Sequence, residues 1–155
     1  MPVIVIGADT PLGVATMDAL LPRPGEVRAF VTSPDAATDL RSRGVKVALG
    51  DISDGSHVSG AALNAYCAVL IAAAAGDDRD RAFADTPHAV ISAWVDGLND
   101  AAVTRAIFVT ADPGITALAG LHAELAVVTT GGKSTAEVVA EVSRLEDAVE
   151  LPEDS

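Results

Sequence analysis

The sequence predicts an α/β domain built on a doubly wound, mostly parallel sheet of about six strands, with helices on both faces in three layers. Three observations lead there. Short apolar runs alternate with longer amphipathic ones, the rhythm of buried parallel strands separated by crossover helices. The chain opens with an apolar run, Val3 to Ile6, that passes through two glycines, Gly7 and Gly13, into an amphipathic segment. The hydrophobic content of 50% in 155 residues comes largely from Ala and Val, enough to build the core of one domain.

Strands are expected at 2–7, 27–32, 45–49, 68–74, 106–111 and 124–129. Helices are expected at 11–21, 35–43, 57–66, 86–103 and 134–149, with 112–122 an unassigned connection. The helix starts carry recognisable chemistry. Thr10-Pro11 and Thr86-Pro87 each place a hydroxyl at N-cap and a proline at the first helical position, and Ser134 with Glu137 forms a capping box after Gly131 and Gly132. On the last helix Val138, Val142, Leu145 and Val149 form one stripe, which should close the outer edge of the sheet. Residues 1–150 read as a single domain and 151–155 as an acidic, proline-broken tail.

Composition excludes several classes of partner. A formal net charge of −12 would repel a nucleic acid backbone and an anionic bilayer alike. The longest apolar stretch, Ala65 to Ala75, is too short to span a membrane and no basic, signal-like segment opens the chain, so a cytoplasmic protein is expected. The single cysteine, Cys67, has no partner for a disulfide and reads as a buried structural thiol. His57, His88 and His122 are widely separated, without ligand spacing, and no metal is predicted.

Each glycine of the opening loop has a task. Gly7 permits the tight turn out of the strand, and Gly13 lets the helix pack close to the sheet. Between them stand Asp9, Thr10, Pro11 and Leu12. The middle glycine expected of a pyrophosphate-binding G-x-x-G-x-x-G turn is replaced by Thr10, which admits two readings. Its hydroxyl caps the helix, or it points at a phosphate oxygen beside the amides and positive dipole of the helix N-terminus. Gly132-Lys133-Ser134 lacks the upstream glycine of a phosphate loop, because that position is Val127.

The segments 3–13, 27–35 and 44–54, continued by the strands at 69–74 and 106–111, resemble the extended and atypical short-chain dehydrogenases, particularly their NmrA-like and epimerase-like members. The resemblance covers about the first 115 residues. It implies a Rossmann-like fold that binds NAD or NADP. On that resemblance the Gly7 to Gly13 loop would hold the dinucleotide phosphates, Asp51 and Ile52 would line the adenine pocket, and Ala72, Ala73 and Ala74 would lie along the riboses. At the end of the second strand, where an acid takes ribose hydroxyls and an arginine takes the extra phosphate of NADP, the chain has Thr32 and Ser33. The two cofactors are not distinguished.

The catalytic apparatus of the family is not matched. Such enzymes use a tyrosine with a lysine four residues on, because an unassisted phenol ionises only near pH 10. The only tyrosine, Tyr66, has Leu70 at that spacing and precedes the fourth strand instead of following the fifth. Lys46 and Lys133 lie far from it in sequence, and Thr110 reads as a strand end. No catalytic residue is therefore assigned. Relatives also carry C-terminal segments that build a substrate pocket and find no counterpart here. Asp77 to Arg81, with alternating charge, reads as a solvated loop, or as a mobile flap over the C-terminal edge of the sheet. Trp94 reads as core or as a dimer contact.

These observations favour a nucleotide sensor or a catalytically degenerate short-chain dehydrogenase relative, whose partners are a dinucleotide and a second copy or another protein. One alternative is a small NAD(P)H-dependent flavin or quinone reductase, which draws protons from solvent and needs no tyrosine. The other is an interaction domain whose loop binds nothing.

Overall fold

A computed structural model describes residues 1–152. The elements run β1 (Val3–Ile6), α1 (Pro11–Leu20), β2 (Val27–Val31), α2 (Pro34–Ser42), β3 (Lys46–Leu49), α3 (Gly55–Ala61) and β4 (Cys67–Ile71). They continue with α4 (Ala73–Gly76), α5 (Pro87–Ala101), β5 (Arg105–Thr110), a 3-10 turn (Thr116–Gly120), β6 (Glu124–Thr129) and α6 (Thr135–Asp147).

All six strands are parallel and their order is β3-β2-β1-β4-β5-β6. This is a doubly wound Rossmann-like sheet, in which the chain reverses direction across the sheet between β1 and β4. Side chains alternate between two cores. Val3, Val5, Cys67, Val69, Ile71, Ile107 and Val109 face α1, α2 and α6. Ile4, Ile6, Ala68, Leu70, Ala106 and Phe108 face α3, α4 and α5. Strands covered on both faces are apolar along most of their length, which explains the long apolar runs in the sequence.

The predicted caps form. Thr10, Thr86 and Ser134 each accept an N–H from three residues on, and Ser134 and Glu137 close the capping box. Cys67 is buried, and desolvation pushes its thiol up to about 12. Trp94 is fully buried and donates its indole N–H to the Ile52 carbonyl at 2.9 Å, so it belongs to the core and offers no side-chain surface for a dimer contact.

Several boundaries differ from expectation. The fourth strand stops at Ile71 and not at residue 74, because Ala73–Gly76 turn into one helical turn that apolarity alone does not reveal. The third helix starts earlier, at Gly55, where the Asp54 carboxylate caps the Ser56 and His57 amides, and ends at Ala61. The last helix ends at Asp147, leaving Val149 94% exposed and outside the stripe that Val138, Val142 and Leu145 bury. Of the tail expected at 151–155, Leu151 packs against the α1, α2 and α6 core, and residues 153–155 lie outside the described residues.

Candidate functional site

The C-terminal ends of β1 and β4 diverge to opposite helical layers, and the loop from β1 to α1 lies in the resulting crevice. Gly7 has φ +88°, a left-handed conformation that suits glycine, and a Cβ there would come 2.8 Å from the Cβ of Ala74. Gly13 is tighter. A Cβ on it would stand 2.1 Å from the Gly7 carbonyl oxygen and 2.8 Å from the Ala8 Cα. Both glycines therefore do the work that their spacing suggests, and α1 is drawn against the end of β1.

Thr10 resolves its two readings toward the cap. Its hydroxyl donates to the Gly7 carbonyl at 2.7 Å and accepts the Gly13 amide at 2.9 Å, and the residue is 2% exposed. The one hydroxyl proton is thus committed inside the turn. Among the described residues no acceptor is found for the amides of Asp9 and Leu12, which flank the start of α1.

Two cavities meet at Pro11. One, of about 560 Å³, opens beside the ends of β4 and β5 and is walled by Leu12, Ile71, Ala72, Ile91, Val109, Ile115 and Val138, with Thr110, Asp112, Thr130 and Lys133 among its polar residues. Its lining is predominantly apolar. The other, of about 510 Å³, lies at the end of β2 between Asp9, Thr32 and Ser33 on one side and Asp77 to Asp80 on the other. A dinucleotide fits this layout: one half in each cavity and its phosphates at the N-terminus of α1, over glycines that leave no Cβ in the way.

The structure brings most of the predicted residues together, with specific differences. Pro11 is shared by both cavities, Ala72 and Ala73 line the apolar one, and Ala74 is buried against Gly7. Ile52 is fully buried, so its side chain belongs to the core packed on α5 and not to an open pocket wall. Asp51 is engaged: it accepts the Ser53 amide and hydroxyl at 2.8 and 2.6 Å and the Ala82 amide at 2.6 Å. Burial raises the Asp51 pKa, but these hydrogen bonds and Arg81 outweigh it and leave the carboxyl below its ordinary value.

The segment read as a solvated loop is instead a tied strap, and this corrects the sequence reading. Arg79 donates to both Asp77 carboxylate oxygens at 2.8 Å, to Asp9 at 2.9 Å and to the Thr32 hydroxyl at 3.3 Å. Its side chain is 10% exposed. Arg81 holds Asp77 from the other side at 2.8 Å and donates to the Ala74 carbonyl at 2.7 Å. Farther on, the Phe83 amide donates to the Ser53 hydroxyl at 3.0 Å. Desolvation disfavours the Arg79 charge, but Asp77 and Asp9 overcome it and raise its pKa. The alternation of acids and bases was the only signal of this strap. A partner 70 residues away leaves no local pattern.

Asp9 is the strap's anchor on the loop. Its other carboxylate oxygen accepts the Thr32 and Ser33 amides at 2.8 and 3.1 Å, stapling the loop to the end of β2. Tyr66 lies at the opposite, N-terminal edge of the sheet, where its amide donates to the Pro2 carbonyl and Arg105 stands 5.4 Å over its ring. Lys46 is at the same remote edge, paired with Glu26 at 2.9 Å. Lys133 alone of the two lysines reaches the cleft, pairing with Glu141 at 3.1 Å. Thr110 closes a turn with Asp112, donating to its carbonyl at 2.9 Å and accepting its amide at 3.0 Å. His88 and His122 are exposed, while His57 packs edge-on to Phe30 at 4.9 Å. Among the described residues no three His, Cys, Asp or Glu side chains group as a metal site, and no helix is long and apolar enough to cross a membrane.

Comparison with known proteins places this geometry. No curated protein matches the sequence. Among solved structures, the anaerobillin reductase ChuY of Escherichia coli O157:H7 is similar with a TM-score of 0.73 at 20% identity, over 96% of this chain and 92% of that one. A triphenylmethane reductase of Citrobacter sp. aligns with a TM-score of 0.68 at 18% identity, over 83% of this chain and 48% of that one. An NADPH-dependent quinone oxidoreductase of Escherichia coli, solved with NADPH, gives 0.68 at 18% identity, over 93% of this chain and 54% of that one. This chain thus spans about half of the latter two and nearly all of the first. Residues 7–149 match the family described as NAD(P)H-binding, a span that includes the loop, both cavities and the strap, and the chain belongs to that family.

Proposed function

We propose that this protein is a small NAD(P)H-dependent reductase that delivers a hydride to a planar, largely apolar acceptor of the flavin or quinone kind. The observation that carries the reading is the apolar cavity of about 560 Å³ directly beside the N-terminus of α1. Its apolar lining suits a conjugated acceptor stacked on the nicotinamide half of the dinucleotide. The three similar solved structures, all of reductases or oxidoreductases, support the same reading.

When bound, the reduced nicotinamide supplies the hydride. The chain's own residues supply position and surroundings. The amides of Asp9 and Leu12 and the dipole of α1 would hold the anionic phosphates, and Gly7 and Gly13 would let the backbone approach them. Leu12, Ala72 and Ile115, partly exposed and backed by the buried Ile71, Ile91, Val109 and Val138, would offer apolar area to a conjugated acceptor. Lys133 and Thr130 provide the polar points that orient it. No tyrosine approaches the cleft, so the proton that completes reduction comes from solvent, as flavin and quinone acceptors allow.

The test is to mix the purified protein anaerobically with NADPH or NADH and a panel of free flavins and quinones, following loss of reduced-nicotinamide absorbance. Turnover proportional to protein with at least one acceptor supports the reading. A protein that binds the dinucleotide yet turns over none of the panel refutes it in favour of a sensor.

A further inference from the structure

We propose that Arg79 is the residue through which the site distinguishes a 2′-phosphorylated adenosine from an unphosphorylated one, giving this chain a preference for NADPH over NADH. The proposal rests on the reading that the cleft holds a dinucleotide. It concerns a cation that comes from the strap and not from the end of β2.

The end of β2 carries only neutral side chains, Thr32 and Ser33, and the first cation after them is Arg41, at the far end of α2. The strap fills that gap. It lays the Arg79 guanidinium across the end of β2, with Nη1 2.9 Å from Asp9 and 3.3 Å from the Thr32 hydroxyl, on the wall of the cavity of about 510 Å³. In a doubly wound sheet this is where the adenosine ribose lies.

The guanidinium is also held in one orientation. Asp77 grips Nε and Nη2 in a fork, and Arg81 fixes Asp77 in turn. The contacts made by Nη1 are the exchangeable ones. Asp9 keeps the Thr32 and Ser33 amides as donors when Nη1 turns to a phosphate, which offsets part of the cost of loosening that ion pair. A 2′-phosphate placed there receives Nη1, the Thr32 hydroxyl and the Ser33 hydroxyl, whose oxygen accepts the Ala36 amide and whose proton is uncommitted. Ser33 also caps α2, whose N-terminus adds a positive dipole end. A ribose hydroxyl leaves Arg79 with the carboxylates it already has. The acids around the strap, Asp77, Asp78 and Asp80, make an unpaired phosphate costly there, so discrimination depends on Arg79 itself.

Titration of the full chain with NADPH, NADH, adenosine 2′,5′-bisphosphate and adenosine 5′-monophosphate tests this, using wild type, Arg79→Gln and Arg79→Lys. Trp94 fluorescence and thermal melting verify that each variant is folded. The expected result is that wild type binds each 2′-phosphorylated ligand about tenfold or more tightly than its counterpart. Arg79→Gln loses that ratio because NADPH affinity falls far more than NADH affinity, and Arg79→Lys, with the charge but not the fork, falls between. Should Arg79→Gln not fold, the wild-type ratio and the Arg79→Lys variant decide. Equal affinities in wild type overturn the proposal, as does an Arg79→Gln variant that weakens NADPH and NADH alike, which marks Arg79 as a structural tie only. Binding of none of the four ligands by folded wild type overturns the dinucleotide reading and this proposal together.

Discussion

Gly13 packs so closely on Gly7 that a Cβ would stand 2.1 Å from the Gly7 carbonyl oxygen. The two nearest obstructing atoms are backbone, and the third, the Thr10 hydroxyl at 2.8 Å, is itself held in the turn by the Gly7 carbonyl. Gly13→Ala is therefore expected to push α1 off the sheet, costing about 1–3 kcal/mol of stability and abolishing dinucleotide binding. Urea denaturation and calorimetric titration measure the two effects. A variant with unchanged stability and affinity would show that the loop does not hold the ligand in this way.

Thr10 gives a sharper separation of fold from site. Its hydroxyl serves the Gly7 carbonyl and the Gly13 amide, so Thr10→Ala removes a helix cap worth about 1 kcal/mol. Because no proton of that hydroxyl faces the cavity, affinity for the dinucleotide should change by less than about tenfold, less than the loss of a charge-assisted contact would cause. A larger loss of affinity with stability intact would restore Thr10 as a phosphate ligand.

The strap should be acid-sensitive. Despite the raising effect of burial, Asp51 and Asp77 both have lowered pKa values, held down by the Ser53 and Ala82 donors in one case and by Arg79 and Arg81 in the other. A carboxylate whose folded pKa lies below its unfolded one adds stability at neutral pH, and that stability is lost as pH falls through the folded value. Melting temperature should accordingly decline below about pH 4. Asp51→Asn should lower the plateau at neutral pH and flatten that acid decline. An identical acid limb in the variant would show that the Asp51 contacts contribute nothing in solution.

Far from the cleft, Arg105 is fully buried at the start of β5. It donates to Glu124 at 2.6 Å and to the carbonyls of Leu145 and Ala148 at 2.7 and 2.6 Å, closing the C-terminal end of α6. Arg105→Met strands those acceptors and should cost roughly 3 kcal/mol. Dinucleotide affinity at temperatures where the variant is folded should not change. A measurable loss of affinity would tie the two ends of the sheet together energetically.

The sheet was legible because strands buried on both faces leave long apolar runs: β1 and β4 are apolar throughout, and β2 and β5 are broken only by Arg28 and at the ends by Arg105 and Thr110. The glycine pair and the caps were legible because their chemistry is local. Legibility ended where composition carries two meanings. Ala72 to Ala75 continue an apolar run, yet the backbone there has left the strand for a helical turn. Arg79 and Arg81 look like solvated charges because the partners that bury them come from the loops after β1 and β2 and from α4. The apolar cavity is assembled from β4, α5, β5, α6 and their connections, so no stretch of sequence announces it.

The central claim is that the apolar cavity holds a hydride acceptor. The most direct measurement is the rate of NADPH oxidation by a flavin or quinone in wild type and in Ile115→Trp, which fills the cavity from the β5 side, with NADPH affinity measured in both. The account predicts protein-dependent turnover in wild type, and in the variant a loss of turnover of about tenfold or more at saturating NADPH, larger than any loss of NADPH affinity. Equal rates in the two proteins, or no protein-dependent oxidation at all, would contradict it.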